Sequence, residues 1–236
     1  MRAWVKPHSK GTVLVTKSKA RSIDKWHQVL GHVNTWSITT LQKNKLVTRL
    51  NINKSILATK CIACIKGKKH VVPLPREAAE NMGKPRDLTV SSVWEPAQIE
   101  GPAWEKYLFS FTNAKSRHSG TYFEKMKDKV LKYFKDWKQL VETQTRNKLK
   151  IFCSDNGGEY LNSAFKGFCT KSEIIMQTTT PYSPAQNGID ERLNRTLLEH
   201  ARAMLFAKNL VKVLWTEAVS YANYIQNRSP TWSLGK

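Results

Sequence analysis

Acidic residues are scarce in this chain: 18 Asp and Glu stand against 39 Lys and Arg in 236 residues, a formal net charge of +21. The imbalance is uneven, with 16 Lys and Arg against 3 Asp and Glu in residues 1–80 and 23 against 15 in residues 81–236. A field that positive attracts phosphate backbones and releases their counterions, which favours nucleic acid as the partner. Long apolar runs are missing too. No stretch approaches the roughly 18 residues of a membrane span, and the start, MRAWVKPH, lacks the apolar core of a secretory signal. No membrane partner and an intracellular place are therefore expected. Cysteine is sparse: four residues, unevenly spaced, exclude a secreted disulfide scaffold.

Two of those cysteines have a different use. Cys61 and Cys64 are separated by two residues, the spacing of a metal knuckle, and upstream His27 and His32 have four residues between them. Two imidazole nitrogens and two thiolates form the closed tetrahedral set of a structural zinc site, so Zn²⁺ is the expected cofactor of this segment. A segment so small buries little apolar surface, and the metal would supply the folding energy its core lacks. Apolar spacings of three and four around Trp26 and Trp36 predict two short helices there. Residues 1–21 read as a basic arm, 22–74 as the zinc-binding domain and 75–86 as a linker. The lysines before the linker, Lys68 and Lys69 among them, are candidates for tracking DNA phosphates or, equally, a solvated loop.

From residue 87 to 236 the pattern is α/β. Strand-like runs at residues 88–94, 106–112 and 119–123 predict an antiparallel meander. Met126, Val130, Phe134, Trp137 and Val141 fall at helical spacing, the stripe of a following helix. A short strand over residues 149–153 leads to Asp155 and the turn Asn156-Gly157-Gly158. A helix around Phe165, a strand over 174–180, a proline-punctuated loop over 181–188 and a long helix opening with Asp190-Glu191 come next. On that helix Ile189, Leu193, Leu197, Ala201, Met204 and Leu205 make the buried stripe, and Glu191, Asn194 and Arg195 face outward. A further helix over 215–225 ends the pattern. Cys153 and Cys169, with no partner spacing, read as buried small hydrophobes. Thirty-five residues separate Asp155 from Glu191. A strand-tip Asp and a helix-borne Glu at that distance can converge on Mg²⁺, a hard cation that takes one or two carboxylates and keeps its waters.

The segments SDNGGEY and PYSPAQNGIDERLNRT, with the spacing between them, resemble the integrase core of copia-type LTR retrotransposons, related to retroviral integrases and, by fold, to ribonuclease H. WHQVLGHVN and CIACIKGKKH resemble the His-His-Cys-Cys pre-integrase domain of the same elements. The resemblance implies a ribonuclease H-like core with a mixed five-stranded sheet behind a small helical zinc-binding domain. It implies DNA strand transfer, by water and then a DNA 3′ hydroxyl, at Asp155 and Glu191 with Mg²⁺. It also implies DNA as partner, with RNA second, a homo-oligomer and a nuclear place. Asn187, in the loop over the substrate, and Asn194 and Arg195 would contact nucleic acid.

One position departs from the resembled pattern. The first catalytic Asp of that family lies in a segment close to Ser-Asp-Val-Trp-Gly-Pro, and this chain has Ser91-Ser92-Val93-Trp94-Glu95-Pro96. A serine hydroxyl at position 92 carries no anionic charge to share between two cations. Asp87 and Glu95 lie at odd offsets on the strand and would point to the opposite face. Asp190 is one helical residue from Glu191, a turn of about 100°. Asn113 stands where an acid is common. Impaired chemistry is thus expected of an integrase architecture. The competing readings are a zinc-stabilised nucleic-acid-binding module without turnover and a one-metal nuclease using the two remaining carboxylates.

Overall fold

The computed structural model describes residues 20–53, 60–67, 88–94, 96–155, 157–178 and 184–230. Most of the basic arm, the linker, Lys68, Lys69, Asp87 and Glu95 lie outside the described residues, as does the side chain of Asn187.

A five-stranded mixed sheet forms the centre. Its strands are β1 (Leu88–Trp94), β2 (Tyr107–Asn113), β3 (Ser119–Glu124), β4 (Ile151–Ser154) and β5 (Ile175–Thr178), in the spatial order β3-β2-β1-β4-β5. The first three pair antiparallel as the expected meander, and β4 and β5 add in parallel. Helices cover both faces, the ribonuclease H-like arrangement that the element order predicts. Alternation along β2 sends Phe109 and Phe111 to one face and Leu108, Ser110 and Thr112 to the other.

On the first face lies α4 (Val130–Thr145). Its buried stripe, Val130, Phe134, Trp137 and Val141, meets Phe109, Phe111, Phe152, Tyr160 and Phe165 in one aromatic core. Each such side chain contributes about 1.5–3 kcal/mol by leaving water. Met126 does not join them. It precedes a single 3₁₀ turn, Lys127–Lys129, and stays 63% exposed, so the stripe begins one turn later than its spacing suggests. Short helices α5 (Gly158–Leu161) and α6 (Ser163–Lys171) follow β4 and complete this layer. Cys153 and Cys169 are buried, as their lack of partner spacing predicts.

The opposite face carries α7 (Pro184–Ala207) and α8 (Trp215–Gln226), whose Leu193, Leu197, Ala201, Trp215, Val219 and Ala222 pack on Leu108. Helix α7 opens at Pro184, within the segment expected to be loop. Proline is suited to the first helical position, where its missing N–H has no partner to lose. Glu191 therefore sits about two turns into the helix rather than on its first turn.

The N-terminal unit comprises α1 (Ile23–Val29), α2 (Thr35–Lys43) and α3 (Ile62–Gly67). Ser22 and Asn34 cap the first two helices, accepting from Lys25 N and Ser37 N. Its core, Val33, Ile38, Leu41, Leu50 and Ile52, is completed by Ile225 of α8, so the unit leans on the sheet domain to finish its interior.

Candidate metal centre and carboxylate site

The geometry at the N-terminal unit is set by a left-handed turn. After α1 the chain passes through Gly31 at φ 64° and His32 at φ 62°, and His32 N donates to His27 O at 2.8 Å. Two successive left-handed residues reverse the chain so that His32 returns beside His27; at Gly31 the absence of Cβ removes the steric penalty. Helix α3 then brings in Cys61 and Cys64. His27 Nε2 lies 3.2 Å from Cys64 Sγ and 3.2 Å from His32 Nδ1, and His32 Nδ1 lies 3.4 Å from Cys61 Sγ. All four donor atoms fall within 4.8 Å of one another. The three shorter separations are close to the edges of a tetrahedron with bonds of about 2.0–2.3 Å to a central ion. The far nitrogen of His27, Nδ1, is 2.7 Å from the carbonyl of Val33. A proton held there leaves Nε2 with a free lone pair facing the other three donors. The four residues picked out by spacing are therefore brought together, and the set fits zinc.

The carboxylate site lies where β1 and β4 end. Their parallel register pairs Val90 with Cys153 and Ser91 with Ser154, so its extension sets Asp155 beside Ser92. Cys153 packs with Val90 on the α7 side, and alternation carries Asp155 to that same face. Asp155 is half-buried, and its Oδ1 accepts from Gly157 N at 3.1 Å. Burial raises its pKa; the Gly157 bond opposes the rise, Glu159 adds to it and Lys127 lowers it.

Ser92 is buried and does not stand alone. Its hydroxyl donates to Asp190 Oδ2 in a short hydrogen bond, Ser110 Oγ donates to the same oxygen at 2.6 Å, and Thr112 Oγ1 donates to Oδ1 at 2.9 Å. Asp190 is fully buried, and burial is the main reason its pKa is pushed up to about 6. The hydroxyl donors pull it down and the charge of Asp155 pushes it up. Asp190 is the residue that sequence reasoning missed. The signal was present, because Asp190, Leu193, Leu197, Ala201 and Met204 step by three and four, so the buried stripe of α7 begins with a carboxylate. The turn of about 100° from Glu191 that argued against Asp190 is what aims it at the sheet.

Glu191 is exposed on α7, as expected, and Arg195 is half-buried. Asn194 does not face outward. It is buried, and its Nδ2 donates to Ser92 Oγ at 2.8 Å, because position 194 lies one turn after Asp190 on the same face of the helix. Asn113 is also buried at the end of β2, and its Oδ1 accepts from Ser116 in the β2–β3 turn.

Residues 5–69 match the GAG-pre-integrase domain family. The chain is 37% identical over 210 residues to the retrovirus-related Pol polyprotein from transposon TNT 1-94 of Nicotiana tabacum, an alignment taking in 89% of this chain and 16% of that one. It is 29% identical over 206 residues to the retrovirus-related Pol polyprotein from transposon RE2 of Arabidopsis thaliana, covering 87% of this chain and 14% of that one. The chain thus spans less than one fifth of the length of these relatives. Among solved structures, the HTLV-2 integrase catalytic core domain in complex with magnesium is 18% identical, with a TM-score of 0.45 over 59% of this chain and 85% of that one. No helix among the described residues is long and apolar enough to cross a membrane.

Proposed function

We propose that the chain is an integrase of the copia-type LTR retrotransposons, that it binds DNA and that it acts as a weakened polynucleotidyl transferase, processing 3′ ends and joining them to target DNA. The observation that supports this reading is the gathering of positions 92 and 155 at the ends of two parallel strands, with α7 laid across them carrying Asp190 and Glu191. Asp155 and Glu191 are the residues that would hold Mg²⁺. When bound, the ion polarises the phosphodiester and activates the attacking oxygen. Asp155 Oδ1 accepts from Gly157 N–H at the strand end, and Arg195, half-buried on α7, would meet a phosphate oxygen. Asn187, Lys68 and Lys69 are the further residues that would contact DNA, and the net charge of +21 supplies the long-range attraction. Zn²⁺ on His27, His32, Cys61 and Cys64 holds the N-terminal unit folded. Work on two DNA ends implies a homo-oligomer and a nuclear place.

Ser92 is the reason for weakened turnover, since a neutral hydroxyl replaces an anion beside Asp155. The second reading, a zinc-stabilised nucleic-acid-binding module without turnover, is favoured by the same residue, whose hydroxyl is committed to Asp190. One assay separates the two. The chain is incubated with a labelled duplex carrying an element end in Mg²⁺ or Mn²⁺, and binding is measured across salt concentrations. Slow metal-dependent release of a 3′ fragment, lost in Asp155→Asn and in Glu191→Gln, supports the transferase. Salt-steep binding without product establishes the module, and product that survives both substitutions refutes the assigned site.

A further inference from the structure

We propose that Asp190 supplies, from helix α7, the carboxylate that position 92 lacks, so that Asp155 and Asp190 form the acid pair that takes a divalent cation on this face of the sheet. The inference rests on the integrase reading given above and adds a residue to its site. Acid and hydroxyl have changed places: the strand carries Ser92, the helix carries Asp190, and the two side chains meet. Ser92 and Ser110 are cross-strand partners on β1 and β2, and Thr112 lies two residues further along β2, so all three hydroxyls project from one face. Together they hold a carboxylate that no described Lys or Arg pairs with.

The bonding pattern leaves room for a cation. A carboxylate offers about four lone-pair sites. Oδ2 of Asp190 accepts two hydroxyl protons and Oδ1 accepts one, so one site on Oδ1 stays open. Asn194 Nδ2 donates to Ser92 Oγ, which directs the Ser92 proton to Asp190. The remaining oxygen of that amide, Asn194 Oδ1, is buried and has no hydrogen-bond partner among the described residues. Buried acceptors left unpaired are uncommon and destabilising. The orphaned Asn194 oxygen, on the helix face that carries Asp190, is a further donor for a hard cation or its bound waters. Asp190 is fully covered, and Asp155, half-buried at the strand end, is the side from which an ion enters.

The arrangement couples positions 92 and 190. An Asp at 92 would aim a second carboxylate into the seat that Asp190 occupies, against like charge and out of water. Ser92→Asp alone is therefore expected to lower thermal stability without improving cation binding, whereas Ser92→Asp with Asp190→Ser keeps the carboxylate count and moves the acid back to the strand.

The test uses the full chain with zinc bound and Mn²⁺ alone as probe, followed by calorimetry and by the electron paramagnetic resonance of the free ion. The unaltered chain binds Mn²⁺, Asp190→Asn weakens it at least tenfold, and the exchange variant restores it. Circular dichroism reports whether each variant is folded, and if Asp190→Asn fails to fold the exchange variant decides, since loss of Mn²⁺ binding there overturns the proposal. Binding unchanged in Asp190→Asn but lost in Asp155→Asn shows that Asp190 only braces α7, which overturns the proposal and leaves the integrase reading in place. Binding indifferent to Asp155→Asn as well removes both.

Discussion

Gly67 of α3 lies against Ala203 of α7 with no space between the two backbones: a Cβ at Gly67 would sit 3.1 Å from Ala203 N, 3.1 Å from Glu199 O and 3.3 Å from Ala203 Cβ. The contact joins the zinc-type cluster to the helix that carries Asp190 and Glu191. Cys64 and Gly67 are three residues apart on one short helix, so the position of the thiol is tied to that of α7. A helix backbone cannot yield locally as a flexible side chain can. Gly67→Ala is expected to destabilise the chain by about 1–3 kcal/mol through overpacking, read as a lower midpoint in thermal or urea unfolding. A melting midpoint equal to that of the unaltered chain would show that α3 slides freely on α7.

The thiols give a count that tests the metal assignment without any DNA. Burial pushes Cys169 up to about 11 and raises Cys153, so neither offers much thiolate at pH 8 in the folded chain. Cys61 and Cys64 are half-buried and, with zinc bound, are protected by coordination. A thiol reagent at pH 8 should find none of the four in the zinc-loaded chain, two after chelation and all four in denaturant. Two reactive thiols before chelation would mean that the cluster does not hold zinc.

Much of this was legible in the residues. The strand alternation, the Val130-Phe134-Trp137-Val141 stripe and the His/Cys spacing each repeat a local rule, and local rules survive folding. The ring around Asp190 is different, because it is assembled from β1, β2 and α7, whose contributing residues are up to 98 positions apart. Serine and threonine at alternate strand positions read as ordinary strand residues until a third element lays an acid over them. The start of α7 is hidden because two prolines and a glycine in 181–188 read as loop, although Pro184 is where a helix tolerates proline. The inward turn of Asn194 is hidden for a related reason. A stripe drawn only through apolar residues omits the polar ones that share its face.

Behind the sheet, Tyr160 supports β1 at the residue before Ser92. Its hydroxyl and Ser91 Oγ are 2.7 Å apart, and both side chains are fully buried. Tyr160→Phe keeps the ring packed against Phe152 and Phe165 but leaves the Ser91 hydroxyl unpaired. A loss of about 1–3 kcal/mol is expected, and Tyr160→Phe combined with Ser91→Ala should recover part of it. Urea unfolding of the single and double variants measures the coupling, and additive losses would show that the two hydroxyls do not interact.

The stability of the chain should fall between pH 4 and pH 6 because of Asp190. Its carboxyl is raised from 3.8 to about 6 in the folded chain, chiefly by burial. A group that holds its proton more tightly when folded contributes its full stabilisation below the unfolded value, and the contribution is lost as pH rises through the folded one. The difference corresponds to about 3 kcal/mol. Asn at the same position has no proton to lose. In buffer free of divalent ions other than the bound zinc, the gap in unfolding free energy between Asp190→Asn and the unaltered chain should therefore shift by about that amount in favour of the variant from pH 4 to pH 7. Other titrating groups are common to both proteins and cancel in the comparison. A gap that stays constant across this range would mean that the three hydroxyl donors offset the burial of the charge.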